Sequence, residues 1–105
     1  MNEGAWYGEA DQLIRSSVGE SIEIRLPANP TTGFSWRPVA ERDKVDVEEG
    51  EFDLESDGFG ASGFQHFRLC PLKPGKTQVR FEYLQPWEQV PPEKTCEFEL
   101  DVEGR

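Results

Sequence analysis

Few residues in this chain could do acid–base or nucleophilic chemistry: its 105 residues hold one histidine, His66, and two cysteines, Cys70 and Cys96. His66 and Cys70 stand four apart in a stretch that reads as one strand. At roughly 3.3 Å per residue they are about 13 Å apart, too far for a nucleophile and its base to share a proton. Cys96 alternates in phase with Phe98, Leu100 and Val102, so it reads as core and is a poor partner for His66. Cys70 is in phase with His66 and Arg68, on the other kind of face, so the two cysteines read as free thiols. They are too few for a disulfide scaffold or a four-ligand zinc site. No Gly-x-Ser-x-Gly elbow, phosphate loop or dinucleotide fingerprint occurs. Asp53-Leu54-Glu55-Ser56-Asp57-Gly58 begins like a calcium loop, but the twelfth position, which should close the shell with a carboxylate, is Phe64. The segment reads as an acidic strand entering a glycine turn. No catalysis, metal or cofactor is expected.

The chemistry that is present suits binding. In Leu26-Pro27-Ala28-Asn29-Pro30-Thr31-Thr32-Gly33-Phe34-Ser35-Trp36, Pro30 fixes its own φ and pushes Asn29 towards an extended conformation. Gly33 can take positive φ, and Thr31 and Thr32 place small hydroxyls on a stiff tip. Gly58-Phe59-Gly60-Ala61-Ser62-Gly63 lets backbone approach another surface, and with no following helix or basic residue it cannot cradle a phosphate. Trp87, between Pro86 and Glu88 in a turn region, reads as an aromatic anchor at a loop tip. Trp36, in phase with Phe34, reads as packing.

The elements that must carry these loops are strands. Apolar residues alternate with period two almost throughout, and no stretch holds the i, i+3, i+4, i+7 spacing of an amphipathic helix. Strands are expected around Gln12 to Ser16, Ile22 to Leu26, Phe34 to Pro38, Val45 to Glu55, Phe64 to Cys70, Thr77 to Leu84 and Cys96 to Val102, with a turn at Pro71-Leu72-Lys73-Pro74-Gly75. About seven strands with turn signals every 8 to 12 residues describe an all-β, immunoglobulin-like β-sandwich. In an antiparallel meander alternate connections emerge at the same end. Val45 to Glu55 could be two strands around Gly50 or one bulged strand; if it is bulged, all three loops share one end.

Length and charge bound the rest. A chain of 105 residues suits a single domain, 1–105. A net charge of −10, from 21 acidic and 11 basic residues, argues against nucleic acid and against an anionic membrane surface. It suits a solvated surface or a partner with a basic rim. No apolar run approaches the roughly 20 residues that span a bilayer, and the start lacks the basic-then-apolar pattern of a signal peptide. The compartment is left unassigned.

Asn29-Pro30-Thr31-Thr32-Gly33-Phe34-Ser35-Trp36, Gly60-Ala61-Ser62-Gly63 followed by Gln65-His66-Phe67, and Tyr83-Leu84-Gln85-Pro86-Trp87 together resemble, in order and spacing, the three binding loops of the chagasin-type inhibitors of cysteine peptidases. The resemblance runs from roughly Val18 to Val102. It implies an immunoglobulin-like domain, acting as a monomer, that plugs the cleft of papain-like cysteine peptidases by steric, reversible, non-covalent exclusion, with no cofactor. Asn29, Pro30, Thr31, Thr32, Gly33 and Phe34 would lie over the catalytic centre, with Thr31 and Thr32 nearest. Gly60, Ala61, Ser62 and Gly63 would run as backbone along the non-primed subsites. Gln85, Pro86 and Trp87 would pack on the primed side. Two positions depart from the family pattern, which favours glycine at Ser62 and arginine at Gln85. The competing expectation is an immunoglobulin-like adhesion or ligand-binding module that uses the same loop end.

Overall fold

In a computed structural model, residue 8 and residues 12–29, 32–54 and 63–104 are described. Pro30, Thr31, Gly60, Ala61 and Ser62, and the Glu55 to Gly58 part of the calcium-like segment, lie outside them. Among the described residues the alternating stretches form seven strands: β1 (Gln12–Ser17), β2 (Ile22–Ala28), β3 (Ser35–Ala40), β4 (Val45–Leu54), β5 (Gly63–Pro71), β6 (Gly75–Leu84) and β7 (Lys94–Glu103). No described residue is helical beyond a single turn residue at Thr32.

Two sheets form, in the orders β1-β7-β6-β3 and β2-β5-β4. Their facing sides are the period-two residues of the sequence. Ile22, Ile24 and Leu26 of β2, with Phe67 and Leu69 of β5, meet Val79 and Phe81 of β6 and Cys96, Phe98 and Leu100 of β7, all 5% exposed or less. Phe67 and Phe81 touch across the layers with ring centroids 4.8 Å apart, and Phe81 meets Phe98 edge-on at 5.8 Å. Burying such faces is the main favourable term in folding, and it fixes register, since a one-residue slip would turn the apolar set to water.

The order is not that of a meander. β1 pairs with β7 in parallel, and the chain crosses between sheets at several connections. A parallel β1–β7 pair leaves no local signature, because it joins residues more than 80 positions apart. The parity of the connections nonetheless holds, since successive strands reverse direction. Val45–Leu54 is one strand, with a register shift between Glu49 and Phe52 opposite β5. Gly50 lies against His66, where a Cβ would come within 3.2 Å of the His66 Cβ, so a side chain there would crowd the bulge and push His66 aside by a few tenths of an ångström.

At one end, the turn after β1 bonds Gly19 N–H to the Pro71 carbonyl (3.0 Å), and Leu72 N–H reaches Lys44 O (2.8 Å). The connections β2–β3, β4–β5 and β6–β7 leave from the opposite end, where Ala28 and Leu54 both pair with Gly63 and Ser35 pairs with Leu84.

Candidate functional site

The three connections that carry the sequence-derived residues start from a braced platform. Gln65, two residues into β5, is 2% exposed and points inwards. Its Oε1 accepts the Trp36 N–H at 2.9 Å, and its Nε2 donates to the Trp36 carbonyl (3.1 Å) and to a Glu49 carboxylate oxygen (3.0 Å). A buried amide is tolerable only when satisfied, and here its bonds join the β5 root of the second loop to the β3 root of the first, across the sandwich. Trp36 adds a second brace: it is 2% exposed, and its indole Nε1–H donates to Pro27 O of β2 at 2.9 Å. Tyr83 stands between the first and third loops. Its hydroxyl accepts the Asn29 N–H (3.3 Å), its ring stacks on Phe34 at 5.2 Å and meets Trp36 at 4.8 Å, and the Lys94 ammonium lies 5.1 Å over it.

Within the first loop, Thr32 is the lock. Its N–H (3.2 Å) and its hydroxyl (2.7 Å) both donate to Asn29 O, and its Oγ1 in turn accepts the Phe34 N–H at 3.3 Å. The chain on either side of positions 30 and 31 is thereby tied together, as threonine side chains do in turns. Gly33 follows with φ +82°, the left-handed region that favours glycine.

The third loop turns tightly, with Glu88 N–H bonded to Gln85 O at 2.9 Å and Pro86 at the second turn position. This presents Trp87 with 66% of its surface exposed, beside Val90 at 59%. One edge of the indole covers Gly33: a Cβ there would collide with Cη2 of Trp87 and lie 3.2 Å from its Cζ2. Gln85 Nε2 donates to Thr32 O at 3.0 Å. The first and third loops are therefore in contact with each other. A concavity of about 110 Å³ opens beside them, between Phe34, Leu84 and Val90, with Glu88 and Glu93 on its rim.

Of the sequence-derived residues, Asn29, Thr32, Gly33, Phe34, Gly63, Gln85, Pro86 and Trp87 are described, and all lie at this end. Gln65 and Tyr83 were not singled out as functional residues. A readable signal existed for Gln65, a polar residue at an inward position in phase with Phe67 and Leu69. His66 and Cys70 sit on the outward side of β5, Cys96 is buried, and the two cysteines are not bridged to each other. Among the described residues no group of histidine, cysteine and carboxylate side chains could hold a metal ion, and no helix is long and apolar enough to cross a membrane. What the described residues of this end offer is shape and exposed apolar surface.

Known proteins resemble this chain in sequence and in fold. Residues 15–102 match the model of the family described as chagasin family peptidase inhibitor I42. Chagasin of Trypanosoma cruzi is 36% identical over 77 residues, 68% of this chain and 70% of the relative. Among solved structures, the cysteine protease inhibitor EhICP2 from Entamoeba histolytica superposes with a TM-score of 0.83 at 24% identity, over 93% of this chain and 94% of that one. PbICP-C, solved in complex with falcipain-2, superposes with a TM-score of 0.69 at 18% identity, over 95% and 100% of the two chains. At these identities the two structures are likenesses of fold.

Proposed function

The chain belongs to the chagasin family of peptidase inhibitors, and we propose that it is a reversible, non-covalent inhibitor of papain-like cysteine peptidases that closes the active-site cleft with three loops. The family consists of inhibitors, and the chain is not an enzyme. In this reading residues 1–105 act as one inhibitor domain and as a monomer. Asn29 to Phe34 cover the catalytic centre, Gly60 to Gly63 lie along the non-primed side as backbone, and Gln85 to Trp87 pack on the primed side.

The observation that carries the reading is the bracing of the loop end. A wedge that resists cleavage must hold its backbone out of the geometry of a scissile bond, and it binds well if little freedom is lost on docking. Thr32 closing on Asn29, Tyr83 holding Asn29 and Phe34, and Gln65 joining the loop roots all fix shape before any partner arrives. Preorganisation lets a standard interface of about 1,600 Å² support tight binding. Trp87, largely exposed and lying against Gly33 of the first loop, has the character of an interface anchor. Inhibition of papain by the purified protein tests the reading. Competitive inhibition that reverses on dilution is expected, whereas no effect on papain or any papain-like enzyme would favour an adhesion module.

A further inference from the structure

Gln85 stands where the family pattern favours arginine, and its amide is directed at the first loop rather than away from the protein. Its Nε2–H bonds to the carbonyl oxygen of Thr32 at 3.0 Å, across 53 positions of sequence. Thr32 is the residue that closes the first loop on Asn29, and its carbonyl belongs to the peptide that leads into the positive-φ residue Gly33. The same loop sends the Trp87 indole over Gly33. We infer that Gln85 is a positioning residue, which ties the third loop to the Thr32–Gly33 peptide so that the two loops meet a peptidase as one preassembled surface. This rests on the inhibitor reading only for its functional consequence, since the tie itself is a property of the free protein.

Two features make Gln85 suited to this. The turn from Gln85 to Glu88 fixes the direction in which its side chain leaves the backbone, because Glu88 N–H bonds back to Gln85 O. Thr32 O lies beside a hydroxyl and an N–H already committed to Asn29 and Phe34, so restraining it restrains the whole tip. An amide donor adds no charge. An arginine could also donate to Thr32 O, but it would bring a cation to the surface beside Glu88 and Glu93. The departure from the family pattern thus keeps a donor while leaving this edge acidic.

The test uses the full chain with Gln85→Met, which keeps length and removes the donor, Gln85→Glu, which turns an acceptor towards Thr32 O, and Gln85→Arg, which restores N–H donors. Two measurements are made. One is the amide shift and order parameter of Gly33 in the free protein, since a hydrogen bond to Thr32 O polarises and restrains that peptide. The other is the inhibition constant and association rate with papain. Gln85→Met is expected to shift the Gly33 amide, lower its order and weaken inhibition by about two- to tenfold, the worth of one neutral hydrogen bond. Gln85→Glu should weaken it further, and Gln85→Arg should restore the Gly33 signal, all with unchanged thermal midpoints. A Gly33 amide unaltered by Gln85→Met would overturn the inference, and weaker inhibition alongside it would mean that Gln85 touches the peptidase directly. Failure of the wild-type protein to inhibit papain would instead count against the inhibitor reading, while the free-protein signal still decides the tie.

Discussion

Replacing Gly33 by alanine should damage binding in two separable ways. The residue sits at φ +82°, and an L side chain in the left-handed region costs roughly 1–2 kcal/mol, which raises the energy of the loop shape that docks. The added Cβ would also meet Cη2 and Cζ2 of Trp87. That ring is the far end of a largely exposed side chain, so it can swing aside at small cost to the fold, but it then leaves its place as anchor. Loss of an aromatic anchor costs about 1–3 kcal/mol of binding. In the wild-type background Gly33→Ala should therefore cost about 2–5 kcal/mol of inhibition. In a Trp87→Ala background only the strain is left, about 1–2 kcal/mol. The coupling of the two changes is then about 1–3 kcal/mol, roughly five- to more than a hundredfold in the inhibition constant. Inhibition constants for papain with the wild type, both single variants and the double variant measure it, with thermal unfolding to confirm that all four fold. Additive effects would refute the reasoning, because they would mean that Trp87 does its work wherever Gly33 leaves it.

The two tryptophans should behave oppositely. Trp87→Ala should weaken inhibition by about 1–3 kcal/mol and barely move the thermal midpoint, while Trp36→Ala, at a buried site with its indole bonded to Pro27 O, should cost about 3–5 kcal/mol of stability; calorimetry and inhibition assays on both variants would expose a reversal. Gln65→Leu should destabilise the protein by at least about 2 kcal/mol, since it strips partners from the N–H and carbonyl of Trp36 in a buried setting, and equilibrium denaturation reads this directly. A change within about 0.5 kcal/mol would show that water replaces the amide easily. Prolonged incubation with active papain, followed by mass spectrometry, should leave the chain intact between Asn29 and Phe34; cleavage there at a substrate-like rate would rule out the wedge mechanism.

Much of the architecture was readable because it rests on short-range rules. Period-two alternation marks the strands and the inward set, Gly50 marks either a break between two strands or a bulge in one, and counting reversals puts the three connections at one end in the bulged case, which is the one the structure shows. What could not be read were the relations that join distant positions through single polar atoms. The bonds between Gln65 and Trp36, Asn29 and Tyr83, and Gln85 and Thr32 are such cases, and the parallel pairing of β1 with β7 is a distant relation of another kind, a ladder of six residue pairs. A donor and an acceptor that meet across 29 to 54 positions need no particular residue types between them, so no local pattern announces them. Thr32 shows the consequence for function. Read from sequence, its hydroxyl was a contact group at the loop tip; in the structure that oxygen is spent on Asn29 and Phe34 within its own loop. A rigid binding loop has to commit some of its polar atoms inwards, because a tip that kept every donor and acceptor for its partner would have nothing to hold its shape. Thr32 and Gln85 fall on the inward side of that division, and Trp87, with its indole edge on Gly33 and most of its surface in water, falls on the outward side.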